Sequence, residues 1–297
     1  MTSTPGIQGG IVPRWNRLPA TALSFAGSLA LSACGEEAQG PPAPPTVEVA
    51  PEAYSTGKKE PPLGANGLLP SCFWAHGAQR ALRTLGGGPL DDGDGALPEI
   101  STSLVPEECR QVLAAAVECA LPEGQSVTDP VTGGSLEGWW GLAAGWRSAA
   151  LDTAGRRHVT ACLVQRLNAT GTPVPILLEG PHPAIVRDPE LAADHSIQES
   201  TAFGDLFSSQ TPLLGILPAF NVFVCWEGLL PQSCGAAGLP LLEQRVCDDL
   251  PLCGLLALGP CSLVCAPNGP YHRCKPGLLS PYWTETVRVR LDPDTCE

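Results

Sequence analysis

Apolar residues recur at helical spacing in two stretches of the chain. In residues 109–121 (CRQVLAAAVECAL), Val112, Leu113, Ala116 and Val117 form one stripe, which predicts an amphipathic helix. Pro106 opens it, and Glu107 and Glu108 put acids at its positive end. Val159, Cys162, Leu163 and Leu167 repeat the pattern. They predict a second helix running from Asp152, a good N-cap, through Asn168, with Gly155 weakening its first turn. Residues 126–142 (SVTDPVTGGSLEGWWGL) carry β-favouring flanks around Asp129-Pro130 and Gly133-Gly134 and predict a hairpin or two short strands. Pro175–Leu178 and Val287–Leu291 are short apolar runs that read as strands. Strand alternation aims Trp139 and Trp140 at opposite faces, so core packing needs at most one of them.

These elements define an α+β fold: a small disulfide-stapled body with two helices and short strands, followed by a loop-rich, Cys-dense C-terminal part. The predicted order is a signal peptide at 1–33, a disordered Pro/Glu-rich tether at 34–64, an α+β body at 65–224 and a Cys-rich stapled segment at 225–297. That last segment is able to share one domain with the body.

The N-terminus carries an export pattern. Residues 1–33 hold Arg14 and Arg17 and no acid, followed by the apolar run Leu18–Ala33. This run is shorter than the ~20 residues a membrane-spanning helix needs. It ends Leu31-Ser32-Ala33-Cys34, which resembles the lipobox of bacterial lipoproteins, cut by signal peptidase II before a cysteine that then carries lipid. The resemblance implies lipidation at Cys34. With Gly35 rather than Asp after it, that family's sorting rule implies the outer membrane. Residues 35–64 hold seven prolines and five glutamates and too few large apolar side chains to offset ordering entropy.

Charge narrows the function classes. The chain of 297 residues has 30 acids against 17 Lys and Arg, a net charge of −13. Removal of residues 1–33, with two arginines and no acids, makes the remainder −15. Nucleic acid is excluded as a partner, because phosphate binding needs clustered cations. Membrane attachment is expected through the acyl anchor.

Thirteen cysteines dominate the composition. With Cys34 assigned to lipid, twelve remain, an even number that suits disulfides in an oxidising compartment. Four lie early (Cys72, Cys109, Cys119 and Cys162). Eight lie late (Cys225, Cys234, Cys247, Cys253, Cys261, Cys265, Cys274 and Cys296). Spacing does not select a connectivity. Cys253, Cys261, Cys265 and Cys274 with His272 form a weaker metal pattern, since only Cys261-x3-Cys265 approaches a zinc spacing. Neither a metal nor a cofactor is expected.

No phosphate-cradling, nucleophile-elbow or zinc-protease motif occurs. Glu179, His182, His195, Glu199 and Asp205 are the types an acid/base or metal site would use. Trp139, Trp140 and Trp146 are the types that stack on sugars, although tryptophans more often fill cores.

The body, through CALPEGQSVT, GLAAGW, RRHVTACLVQRLNATG, CGLLALGPCSLVC and YHRC, is similar to a group of uncharacterised exported Cys-rich proteins of myxobacterial type. That resemblance spans most of residues 105–297 and implies export and architecture, with no activity attached. The expectation is a lipid-anchored cell-envelope protein acting as a non-enzymatic binding or structural module, with an envelope protein or glycan as partner. The alternative is an exported hydrolase built around residues 179–205.

Overall fold

Strand β10, Val287–Leu291 (VRVRL), sets the plan of the molecule: Val287, Val289 and Leu291 lie on one face of a sheet, Arg288 and Arg290 on the other, and all five are buried. A strand buried on both faces must lie between two layers, and it does. The computed structural model describes residues 63–169, 173–208, 221–227, 246 and 255–296. The stretch read as a signal, Cys34, most of the stretch read as a tether, Cys234, Cys247 and Cys253 lie outside them.

The central sheet is ordered β1-β4-β10-β5-β6-β7. It comprises β1 (Leu63–Ala65), β4 (Pro175–Glu179), β5 (Ile197–Gly204), β6 (Val222–Trp226), β7 (Leu256–Pro260) and β10. All neighbours are antiparallel except β6 and β7. Two hairpins complete the strands: β2 (Ser126–Thr128) with β3 (Ser135–Glu137), and β8 (Cys265–Asn268) with β9 (Tyr271–Cys274). The fold is α+β, as expected. It is richer than two helices and a loop-dominated end, because three of the six central strands come from residues beyond 221. β1 begins at Leu63, two residues inside the stretch assigned to the tether.

The described helices are α1 (Pro70–Phe73), α2 (His76–Gly86), α3 (Glu99–Thr102), α4 (Gln111–Ala120), α5 (Thr153–Gln165), α6 (Pro189–Asp194) and α7 (Cys261–Val264). The expected helix at 109–121 is α4, preceded by a 3-10 turn at Glu107–Cys109, with Val112, Leu113, Ala116 and Val117 buried. α5 starts on the Asp152 cap, whose carboxylate accepts from Gly155 N at 2.6 Å. Gly155 is an asset there: a Cβ would meet that same carboxylate and Leu151 at 3.1 Å. The helix stops at Gln165 rather than Asn168, because Leu167 pairs with Leu68 and Asn168 donates to Asn66 Oδ1 at 2.8 Å.

The larger core lies between α2, α4, α5 and the Val287/Val289/Leu291 face. Trp146 is buried in it and donates through Nε1 to the Leu85 and Gly88 carbonyls, closing the end of α2. The second core, on the other face, holds Phe203, Phe223, Cys225, Cys261 and Cys274 under Trp283. Among the described residues, four bridges staple these layers. Cys72–Cys109 ties α1 to the 3-10 turn and Cys119–Cys162 joins α4 to α5. Cys225–Cys261 ties β6 to α7, and Cys265–Cys274 crosslinks β8 and β9.

Candidate functional site

The arginine-bearing face of the sheet concentrates the molecule's buried charge. Glu179 ends β4 directly opposite Arg288 in register and is fully buried. Its Oε2 lies 2.8 Å from Arg290 Nε and 3.9 Å from Arg288 Nη1, and its Oε1 lies 3.7 Å from Arg187 Nε. Arg288 reaches the other way as well, donating from Nε to Glu227 Oε1 at 3.2 Å. Its Nη2 sits 3.2 Å from His272 Nδ1.

Glu227 also accepts from Thr201 Oγ1 at 2.6 Å and faces His272 Nδ1 at 3.1 Å. Burial alone would raise its pKa. The His272 hydrogen bond, the Arg288 charge and the Thr201 hydroxyl outweigh burial and hold the carboxyl down to about 2. Glu227 therefore stays ionised, held by the groups that face it.

Arg290 is almost wholly buried, and its Nη2 has no hydrogen-bond partner. A cavity of about 620 Å³ lies elsewhere, lined by Ser103, Val105, Glu107, Arg110, Val131 and Thr132. Arg110 in that lining is already paired with Asp129 and donates to the Thr102 carbonyl. None of the candidate acid/base residues lines it.

The disulfides of the second core pack against each other beside this network. Cys225 Sγ lies 3.5 Å from Cys265 Sγ across two different bridges. The sulfurs of Cys225, Cys265 and Cys274 fall within 4.8 Å of one another, as do Cys261, Cys265 and a ring nitrogen of His272. The spacing suits a soft-metal cluster, yet each sulfur is already bonded to another, so reduction must come before ligation. Cys253, the fourth cysteine of the sequence pattern, lies outside the described residues. Among the described residues, Cys225 joins the cluster, a cysteine the sequence pattern did not include.

The five acid/base candidates are held by different groups. Glu179 is enclosed by the arginines. His182 packs its ring against His158, with centroids 4.9 Å apart. His195 places Nδ1 3.2 Å from the Leu191 carbonyl, and its own carbonyl accepts from Arg290 at 3.4 Å, its one link to Glu179 among the contacts described. Glu199 accepts from Ser200 at 3.1 Å where β5 bulges against β10. Asp205 pairs with Arg156 at 3.3 Å and accepts from the Phe207 and Ser208 amides.

His158 is buried, and that desolvation, with the His182 ring next to it, pushes its pKa down to about 4. Burial lowers His182 too. The tryptophan candidates divide. Trp140 and Trp146 are core residues and Trp139 is partly buried, so the three do not form an open stacking platform.

Sequence reasoning missed Arg288, Arg290 and Glu227. The available signal was two arginines spaced by two inside an apolar strand, which demands a buried partner on the second face. No protein-family model, curated protein or solved structure matches the chain.

Proposed function

We propose that the protein is exported, anchored by lipid on Cys34, and works in the cell envelope as a non-enzymatic binding or structural module. The observation that carries this reading is the state of the cysteines. All eight whose side chains are described, Cys72, Cys109, Cys119, Cys162, Cys225, Cys261, Cys265 and Cys274, are paired. Disulfides persist in oxidising compartments and are rare in a reducing cytosol. Beside them the largest group of buried charges is self-neutralising, which suits a rigid scaffold better than a reaction centre. The lipobox, the acidic body and Gly35 add the anchor and the outer membrane as its place.

The test is the intact mass of the full chain expressed in a bacterium with an oxidising envelope. The expected product begins at Cys34, carries acyl chains and takes up no thiol label until reduced. Cys34→Ala should abolish both processing and acylation. A non-acylated product that retains residues 1–33, or a body whose cysteines label freely, overturns the reading.

A further inference from the structure

The two most exposed large apolar side chains among the described residues, Leu278 and Leu279, stand side by side on one loop. Residues 275–282 (KPGLLSPY) project from the end of β9, and their base is closed by a pair of backbone hydrogen bonds. Cys274 N donates to the Trp283 carbonyl at 2.9 Å and Trp283 N returns to Cys274 at 2.7 Å. The Cys265–Cys274 bridge clamps the same point. Within the loop, Ser280 N donates to the Gly277 carbonyl and Lys275 Nζ to the Leu278 carbonyl. Pro276 and Pro281 restrict the chain on either side.

At the tip stand Leu278, 90% exposed, and Leu279, fully exposed. Leu263 on the adjoining α7 is also largely exposed, and Lys275 N bonds to the carbonyl of its neighbour Val264. A lone exposed leucine needs no explanation, but an adjacent pair held outward on a braced loop exposes apolar area with no return inside the body.

Charge points to what covers it. The chain has 30 acids, yet residues 251–284 contain none. The cations of this stretch gather at the loop: Arg273 and Lys275 both sit over the Tyr282 ring, at 5.1 and 5.0 Å. Leucines at the tip, an aromatic ring behind them and a cationic collar around the ring are the order that matches hydrocarbon, interface and anionic headgroup.

We propose that the 275–282 loop is a membrane-docking finger that inserts Leu278 and Leu279 into an anionic lipid surface while Arg273 and Lys275 meet its phosphates. The finger turns a tethered body into one held at a fixed orientation on the bilayer. The proposal rests on the envelope reading only for which membrane is met.

The test uses the chain from position 34 onward with Cys34→Ser, so that no acyl group contributes and failure of lipidation is scored separately by the mass experiment above. Its probe is sedimentation with vesicles of phosphatidylcholine alone or with phosphatidylglycerol. Binding is expected to the phosphatidylglycerol vesicles and to weaken with salt. Leu278→Asp with Leu279→Asp should lower the partition coefficient about tenfold or more, and Lys275→Glu by a smaller factor. The double variant should keep its native bridges and circular dichroism. Absence of binding to both vesicle types overturns the proposal. So does binding that the Asp variant leaves unchanged, or a finger that crosslinks to an envelope protein without binding lipid.

Discussion

Cys225 Sγ and Cys265 Sγ touch at 3.5 Å although each is bonded to a different partner. A thiolate released at either bridge therefore starts within attacking range of the other. Cys265→Ala frees Cys274, which lies within 4.8 Å of Cys225. Attack there forms a Cys225–Cys274 bond and expels the Cys261 thiolate, with no net oxidation. Non-reducing peptide mapping of this variant should find both Cys225–Cys261 and Cys225–Cys274. The Cys265→Ala/Cys274→Ala double variant should retain Cys225–Cys261 alone. Recovery of only the native bond in the single variant would show that the contact does not support exchange.

Glu179 is the hinge of the buried charge network, and its loss should be felt more than that of any surface carboxylate. Glu179→Gln leaves Arg290 buried without its counter-charge, and removal of one partner of a buried pair costs about 3–5 kcal/mol. Glu179→Leu combined with Arg290→Met removes both charges and should cost clearly less. Urea denaturation of the two variants and the parent decides the matter: equal losses would mean that charge compensation is not what Glu179 supplies.

Much of this layout was readable in the sequence. Val112, Leu113, Ala116 and Val117, and later Val159, Cys162, Leu163 and Leu167, turn inward as their spacing requires, because helical periodicity depends only on local geometry. The turn residues at 129–134 allowed a hairpin or two separate strands, and the chain forms the hairpin. α2 was missed although Ala78, Ala81, Leu82 and Leu85 carry the same period, interrupted by polar residues and followed by Gly86, Gly87 and Gly88. β5 was missed because its polar Glu199, Ser200 and Thr201 are buried only by strands and side chains distant in sequence. The charge network failed for the same reason. Glu179 and Arg288 are 109 positions apart and become neighbours only once β4 and β10 pair.

Loop length should rank the bridges. Cys119–Cys162 closes a separation of 43 residues and Cys265–Cys274 one of 9. On the chain-entropy relation the first stabilises by about 4 kcal/mol and the second by about 3. Replacing both cysteines of each pair by alanine, and comparing urea midpoints under non-reducing conditions, should therefore show the larger loss for Cys119 and Cys162. Their position in the core between α4 and α5 adds to it. The opposite order would assign the greater role to the second core.

Acid should weaken the fold in two successive windows. His158 titrates near 6.5 when unfolded and at about 4 when folded, first because burial penalises the imidazolium and then because the His182 ring faces it, against weaker opposite pulls from Glu285 and Asp152. Between those values the unfolded chain binds the extra proton. Its contribution, about 3 kcal/mol, is thus complete above pH 6.5 and lost as pH falls towards 4. Glu227 behaves as a depressed carboxylate. Its contribution is complete above pH 4.5 and lost as pH falls towards about 2. Denaturation midpoints taken from pH 8 to pH 2 should decline through both windows. His158→Leu should flatten the upper one and leave the lower one in place, because the Glu227 partners, Arg288, His272 and Thr201, are untouched. An upper window that survives in His158→Leu would mean that another group, with His182 the nearest, carries the acid sensitivity.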